Sequence, residues 1–288
     1  MQQTFETPGG VRLSVDNPAG LVVITARAAP TTVVSLEADT PEAEELVDRA
    51  TVGCRPAGSG HAVEVKVPRR RGFRHPTVTV RVEVPVGARV TVVTASAGVE
   101  VDGPVGEADL QTGSGDMAAD DVAGDVTAKT ASGDIVLGRV GGDLRAQTAS
   151  GDLRCSSVAG AADFCTVSGD LELGAADSWV AVKATSGHVR MGELACGARV
   201  ANVSGNVRVL ALGEGALRVR SVSGDVAVGV ARGVELHVDV ATASGRVHSD
   251  IPLTPAPVPG RRRETRAEVS VRSVSGNVEI GPALEHVA

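Results

Sequence analysis

Apolar and polar positions alternate along most of the chain, and a short polar turn interrupts the alternation at regular intervals. The stretch KTASGDIVLG (129–138) is one example, and close relatives of it begin at Gln147, Cys165, Arg220 and Arg272. The serine of the motif recurs first every eighteen residues and then after steps of nineteen, twenty-one and thirty-one: Ser96, Ser114, Ser132, Ser150, Ser168, Ser186, Ser204, Ser223, Ser244 and Ser275. A period near twenty residues is too short for two helices and their turns, so it indicates a solenoid with one coil per repeat.

Each coil divides into two similar halves, because Gly-Asp or a near match recurs every nine residues between Gly106 and Gly169. The first strand aligns apolar residues in one column: Leu110, Ala128, Ala146, Phe164, Val182, Val200 and Val219. The second strand gives another column: Met117, Ile135, Leu153, Leu171, Val189, Val207 and Val226. A third short column follows: Val122, Val140, Val158, Ala176, Leu194 and Leu212. This period-two alternation predicts an all-β fold, a single-stranded parallel β-solenoid (β-helix) with about 18 residues per coil and a flat or roughly triangular cross-section.

One further inward column is polar rather than apolar. Its members carry hydroxyl or amide groups: Thr112, Thr130, Thr148, Thr166, Asn202 and Ser221. We interpret this column as a structural ladder whose side chains hydrogen-bond from coil to coil.

The N-terminal part departs from the regular repeat. The stretch LSVDNPAGLVVI (13–24) predicts an atypical first coil, and AVEVKVP and TVTVRVEVP alternate as further strands. Thr40 followed by Pro41 and acidic residues predicts a short helix near 41–50. We therefore expect an N-terminal β-rich capping region over 1–93, and solenoid repeats over 94–288 with a basic insertion near 251–267.

Composition narrows the class of protein. The core must use small branched side chains, because the chain has three Phe, one Trp and no Tyr, and the net charge of -7 argues against a general nucleic-acid binder. The start MQQTFETPGGVRLSV lacks a signal-peptide pattern and no segment approaches a membrane span, so a cytoplasmic location is expected. The four cysteines (Cys54, Cys155, Cys165 and Cys196) include no C-x-x-C pair, which argues against a zinc site or a disulfide framework.

The repeated Ser-Gly-Asp has two interpretations. In the first it is a structural turn, in which glycine adopts positive φ while Ser and Asp satisfy nearby backbone amides. In the second, the stacked carboxylates form a calcium-binding column: Asp116, Asp134, Asp152 and Asp170. The turn is favoured, because the same column continues with His188, Asn206 and Arg246, and an arginine does not fit a row of calcium ligands.

No catalytic signature is present. The sequence contains no G-x-S-x-G, H-E-x-x-H, P-loop or G-x-G-x-x-G pattern, and we expect no enzyme activity and no cofactor. Two arginine-rich loops stand apart from the repeat and are candidates for binding a partner or phosphate: Arg69, Arg70, Arg71 and Arg74 in the first, and Arg261, Arg262, Arg263 and Arg266 in the second.

The T-A-S-G-D-[ILV] units at Thr130–Ile135 and Thr148–Leu153, with the upstream SVDNPAG, resemble the bacterial putative-adhesin family of β-strand-repeat domains. This domain of unknown function is also called toast-rack-like. The resemblance extends from about Val11 to Ile280 and implies a single-stranded parallel β-solenoid, but it transfers no catalytic residues.

Two hypotheses of function follow. The first is a non-enzymatic scaffold or protein-interaction module that binds a protein partner or self-associates, with the oligomeric state left open. The alternative is a β-helix that binds a ligand such as calcium, phosphate or an acidic polymer, or that acts on carbohydrate.

Overall fold

The structure is a computed structural model and describes residues 1–69, 76–251 and 266–283. These residues form 25 strands and one short helix, and the chain divides into two compact units, Met1–Gly151 and Asp152–Ala288. Within each unit, parallel strands stack in successive coils, which confirms the predicted all-β solenoid fold. The expected boundary between residues 93 and 94 stays a prediction.

The first unit contains twelve strands and the helix. They are β1 (Gln2–Glu6), β2 (Val11–Arg27), β3 (Thr31–Ala38), α1 (Pro41–Asp48), β4 (Thr51–Ala57), β5 (Gly60–Lys66), β6 (Val78–Pro85), β7 (Arg89–Val105), β8 (Glu107–Gln111), β9 (Met117–Val122), β10 (Val126–Lys129), β11 (Ile135–Val140) and β12 (Leu144–Ser150).

The helix begins where the sequence predicts. Thr40 is its N-cap, and the Thr40 hydroxyl accepts a hydrogen bond from the backbone N–H of Ala43 at 3.2 Å. Pro41 occupies the first turn, where a missing N–H costs nothing. Ala43, Leu46 and Val47 are buried, so the apolar side of the helix packs on the sheet near β3 and β6.

The long strand β2 lies one coil inside the first unit rather than at its end. Val15 of β2 pairs in parallel with Val65 of β5 on one side and with Val92 of β7 on the other. The outermost coil is therefore β5 and β6, which follow β2 in sequence. Antiparallel strands flank this coil, because β4 pairs with β5 and β3 pairs with β6.

The second unit contains thirteen strands. They are β13 (Leu153–Val158), β14 (Ala162–Ser168), β15 (Leu171–Ala176), β16 (Val180–Ser186), β17 (Val189–Leu194), β18 (Gly197–Ser204), β19 (Val207–Leu212), β20 (Gly215–Ser223), β21 (Val226–Val230), β22 (Glu235–Ser244), β23 (Val247–Ser249), β24 (Arg266–Ser275) and β25 (Val278–Pro282).

Coil order is also exchanged in the second unit. Val271 of β24 pairs with Val219 of β20 and, on its other side, with Val240 of β22. Likewise β25 pairs with both β21 and β23. The last strands of the chain are therefore interior, and the coil of β22 and β23 is outermost among the described residues.

The predicted inward columns are the core of each unit. In the first unit Ile135 pairs with Met117, and in the second Leu153 pairs with Leu171 and Phe164 with Val182. All of these side chains are almost completely buried. The third column is buried too, with its members at the ends of β9, β11, β13, β15, β17 and β19: Val122, Val140, Val158, Ala176, Leu194 and Leu212.

Candidate interaction face

The glycine of the Ser-Gly-Asp turn has a backbone conformation that other residues avoid. Gly205 has φ of 124°, and a Cβ added there would lie 2.1 Å from the carbonyl oxygen of Gly187 in the neighbouring coil. Glycine is therefore required for the chain direction and for the close approach of two coils. This geometry is what a structural turn needs.

The residue after that glycine joins neighbouring coils with its side chain. In the first unit, Asp116 Oδ1 accepts a hydrogen bond from the backbone N–H of Asp134 at 2.9 Å. In the second unit, Asp152 Oδ1 accepts from the N–H of Asp170 at 2.9 Å, and Asp170 Oδ1 accepts from the N–H of His188 at 2.7 Å. These bonds satisfy backbone amides at the turn, where the strand ladder is interrupted.

The same ladder explains why the column accepts residues other than Asp. His188 Nδ1 accepts from the N–H of Asn206 at 3.1 Å, and Asn206 Oδ1 accepts from the N–H of Asp225 at 3.0 Å. Asp225 then accepts from Asn277 at 2.8 Å, and Asn277 from Arg246 at 3.1 Å. Each member except Arg246 offers an acceptor. Arg246 lies in the outermost coil, where it needs only to donate its backbone N–H.

Three members of the inward polar column donate hydrogen bonds to carbonyl groups of the turns. In the first unit Thr112 donates to Ala97 O at 3.3 Å and Thr148 donates to Gly133 O at 3.4 Å. In the second unit Asn202 Nδ2 donates to Gly205 O at 2.8 Å. These contacts make up only part of the predicted ladder. Three other hydroxyls of the column are buried and have no hydrogen-bond partner among the described residues: Thr130, Thr166 and Ser221.

The candidate calcium column is divided between the units, with Asp116 and Asp134 in the first and Asp152 and Asp170 in the second. In both units its carboxylates accept hydrogen bonds from backbone amides of neighbouring coils. Over residues 1–69, 76–251 and 266–283, no group of three His, Cys, Asp or Glu side chains is arranged to hold a metal ion. Calcium binding stays an untested alternative.

The two arginine-rich loops lie mostly outside the described residues: Arg70, Arg71, Arg74, Arg261, Arg262 and Arg263. Arg69 is described, and its Nη2 lies 3.8 Å from Asp16 Oδ1 in an exposed ion pair. Arg266 is the first residue of β24. The role of these loops in partner binding therefore remains a prediction.

A different cluster of cations is evident on the second unit. We call it the basic face, and it lies on the outward side of four neighbouring strands, β16, β18, β20 and β24: Lys183, Arg199, Arg218, Arg220 and Arg272. Arg199 pairs in register with Arg218, and Arg220 with Arg272. All five side chains are exposed, and none makes an ion pair with any described carboxylate.

A ridge of exposed valines borders the basic face. Val203, Val222 and Val274 are 47%, 49% and 55% exposed on β18, β20 and β24. Each of these valines follows, two residues later on its strand, the position that is Arg220 on β20 and Arg272 on β24. Since side chains two residues apart in a strand point the same way, the valines and the arginines project from the same side of the sheet. Between them runs an open groove of about 330 Å³, lined in part by Lys183, Arg220, Val203 and Val222.

The basic face could have been predicted from the spacing of the outward residues in the repeat. The alternation already placed Arg199 and Arg218 in one polar column beside the apolar column of the first strand. Comparing that column with the next outward one, at Lys183 and Arg220, would have shown the cluster. The arginines of the two candidate loops are close together in sequence, whereas the cations of the basic face come together only when the coils stack.

One cysteine has chemistry that the structure defines. Cys155 is buried in the second unit, and burial raises the pKa of its thiol to about 12. The thiol therefore stays protonated at neutral pH and is a poor nucleophile.

Parallel coils built on side-chain ladders define the class of this protein, a β-solenoid repeat protein. The family model described as Toastrack DUF4097 matches residues 58–179 and 142–281. The chain belongs to this Toastrack family, a family of unknown function, as the resemblance in its motifs predicted. In the described part of the chain, no helix is long and apolar enough to cross a membrane.

Solved structures that are similar to the chain include two described as putative adhesins and one described as a putative lipid binding protein. A putative adhesin from Parabacteroides distasonis ATCC 8503 is 11% identical with a TM-score of 0.48, covering 95% of this chain and 96% of that one. A putative adhesin from Bacteroides fragilis NCTC 9343 is 10% identical with a TM-score of 0.39, covering 97% and 96%. A putative lipid binding protein from Parabacteroides distasonis ATCC 8503 is 12% identical with a TM-score of 0.34, covering 97% and 96%. None of the curated proteins matches the chain.

Proposed function

We propose that this protein is a non-enzymatic interaction scaffold whose basic face docks an acidic segment of a partner protein. The observation that carries the proposal is the stacking of five exposed cations, without carboxylate partners among the described residues, beside a ridge of valines. The turn carboxylates and the Asn202 amide form hydrogen bonds within the solenoid, so they contribute to the fold instead of facing a partner.

Electrostatics favours an anionic partner for this face. The chain has a net charge of -7, yet the face gathers cations of one sign. Two unit charges one coil apart, at about 4.8 Å, repel by about 0.9 kcal/mol in a water-like dielectric. An acidic partner relieves this repulsion and gains attraction in its place, which also speeds encounter.

The valine ridge favours a protein segment over a purely polar polyanion. Residues i and i+2 of an extended chain lie about 6.7 Å apart, and the same two-residue step separates Arg220 from Val222 and Arg272 from Val274. A segment that presents acidic and apolar side chains in neighbouring rows therefore matches both columns. Single-stranded nucleic acids bind to aromatic stacking platforms, and the face defined above contains no aromatic residue.

Fluorescence anisotropy with a labelled peptide of alternating Glu and Val tests the proposal. The triple variant Arg218→Gln, Arg220→Gln and Arg272→Gln should bind about tenfold more weakly than the wild type, because three exposed ion pairs contribute about 0.5 kcal/mol each. The matched control removes three exposed arginines elsewhere on the second unit, as Arg208→Gln, Arg232→Gln and Arg246→Gln. This control should bind the peptide as the wild type does. Added salt should weaken peptide binding by the wild type and by the control.

Two results would overturn the proposal. One is equal loss of peptide affinity in the triple variant and its control, which would reduce the effect to net charge. The other is the absence of peptide binding by the wild type, whether or not vesicles of anionic lipid or a single-stranded oligonucleotide bind to the face instead.

A further inference from the structure

The outermost described coil of the second unit contains a long strand that pairs with another described strand on one edge only. Strand β22 pairs in parallel with β24 over nine positions, from Glu235 opposite Arg266 to Ser244 opposite Ser275. No other described strand pairs with β22, and β23 pairs only with β25 in the same range. From Leu236 to Ser244, the opposite edge of β22 therefore has no strand partner among the described residues.

The interior of this coil is open as well. Val238 and Val240 point inward but are only half-buried. The residues that pair with them in the next coil, Val269 and Val271, are completely buried. On the second strand the contrast is larger, because Val247 is 51% exposed and its neighbour Val278 is 1% exposed. Among the described residues, the apolar columns therefore extend into the last coil, and no further described strand packs over them there.

The edge strands of the first unit are protected in ways that β22 is not. Strand β4 carries Arg55 and Pro56, and β1 is five residues long. Proline, a basic side chain and shortness all oppose the addition of a further strand, and the only Asp or Glu residues of β22 are Glu235 and Asp239. Strand β22 has ten residues with the sequence ELHVDVATAS, which contains no Pro, Gly, Lys or Arg. It is therefore a suitable template for strand pairing.

We infer that a second copy of this chain pairs with this edge, so that two molecules join through β22 and β23 around a two-fold axis. A second copy offers the same apolar columns at the same spacing, so the two cores become continuous. Antiparallel pairing centred on Val240 sets Asp239 opposite Ala241 and Val238 opposite Thr242, so no like charges meet. Two-fold pairing uses the same patch on both partners.

The inferred assembly is a closed dimer and not a filament. Filament growth requires a second free edge of the same kind, but the outermost coil of the first unit is flanked by the antiparallel strands β3 and β4. The dimer contact is also separate from the basic face, which lies on the outward side of the sheet instead of its edge. Failure of either proposal leaves the other standing.

Light scattering coupled to size-exclusion chromatography over a concentration series tests the inference. The wild type should rise from the chain mass of 29.1 kDa toward twice that mass. The variant Val247→Lys should dissociate at a concentration at least about tenfold higher, because the lysine opposes edge pairing and occurs twice in each dimer. Val136→Lys is the matched control, since Val136 is 44% exposed on β11, which is part of neither the edge nor the basic face, and it should dimerise as the wild type does.

Hydrogen exchange supplies a second readout that does not depend on a variant. Backbone amides of Glu235–Ser244 should become more protected as the protein concentration rises, while amides of β20 should not change. The inference is overturned by a mass that stays at one chain, by a mass that keeps growing beyond two chains, or by equal weakening in Val247→Lys and Val136→Lys. It is also overturned by a dimer whose β22 amides gain no protection.

Discussion

The turn glycines allow a direct test of the close stacking of coils. In Gly205→Ala the new Cβ would lie 2.1 Å from the carbonyl oxygen of Gly187, well inside contact distance, and the residue would keep φ of 124°. The backbone conformation alone costs about 1–3 kcal/mol for a residue with a side chain. Displacing the neighbouring coil adds about 1–3 kcal/mol of overpacking, because a backbone atom cannot rotate away as a side chain does.

Gly233→Ala is the matched control for this variant. Gly233 also has positive φ, 83°, but a Cβ added there would meet nothing within 4 Å. Its expected cost is the conformational part alone, about 1–2 kcal/mol. Urea unfolding followed by far-ultraviolet circular dichroism should therefore give a clearly lower midpoint for Gly205→Ala than for Gly233→Ala. Equal midpoints would refute the conclusion that these glycines hold coils in close contact.

Three further predictions concern the ladder and the core. Asp170→Ala leaves the N–H of His188 without its side-chain acceptor and should cost about 0.5–1.5 kcal/mol in urea unfolding, whereas Asp170→Asn keeps an acceptor and should cost less. Phe164→Ala should cost about 3–5 kcal/mol in the same assay, because Phe164 is completely buried. Burial raises the pKa of the Cys155 thiol to about 12 in the folded protein, so above about pH 9 the unfolded chain loses this proton while the folded protein keeps it. The free energy of unfolding should therefore fall by up to about 1.4 kcal/mol per pH unit in this range. Cys155→Val should remove this part of the pH dependence.

The inward columns could be predicted because one period governs both the sequence and the structure. Phe164 and Val182 are eighteen residues apart in the chain and pair directly in adjacent strands. Each coil repeats the same length, so residues with equal offsets from the turn must share a face. The helix was predictable for a local reason, since Thr40 and Pro41 specify its start without reference to the rest of the fold.

Coil order was not predictable from the same pattern. The column that contains Val219, Val240 and Val271 has the same chemical character in every coil, so the period does not say which coil lies beside which. The exchange of the last two coils becomes visible only in the pairing of strands. The long step of thirty-one residues before Ser275 was the one sequence feature at this point, and it indicated an insertion rather than a change of order.

The fold restricts the identity of outward-facing side chains less than it restricts the residues of the turn ladder and the core. We therefore expect residues that bind a partner to lie in the outward columns. At the turn, Asp225 needs only an acceptor for Asn277, and Asn206 or His188 serves the same purpose one or two coils away. The inward columns need only apolar volume. Neither requirement restricts the residues between them, so the stacking of Arg218 beside Arg199 is not needed by the fold and costs repulsion. In the proposed function, an acidic partner neutralises this cluster and so offsets the repulsion.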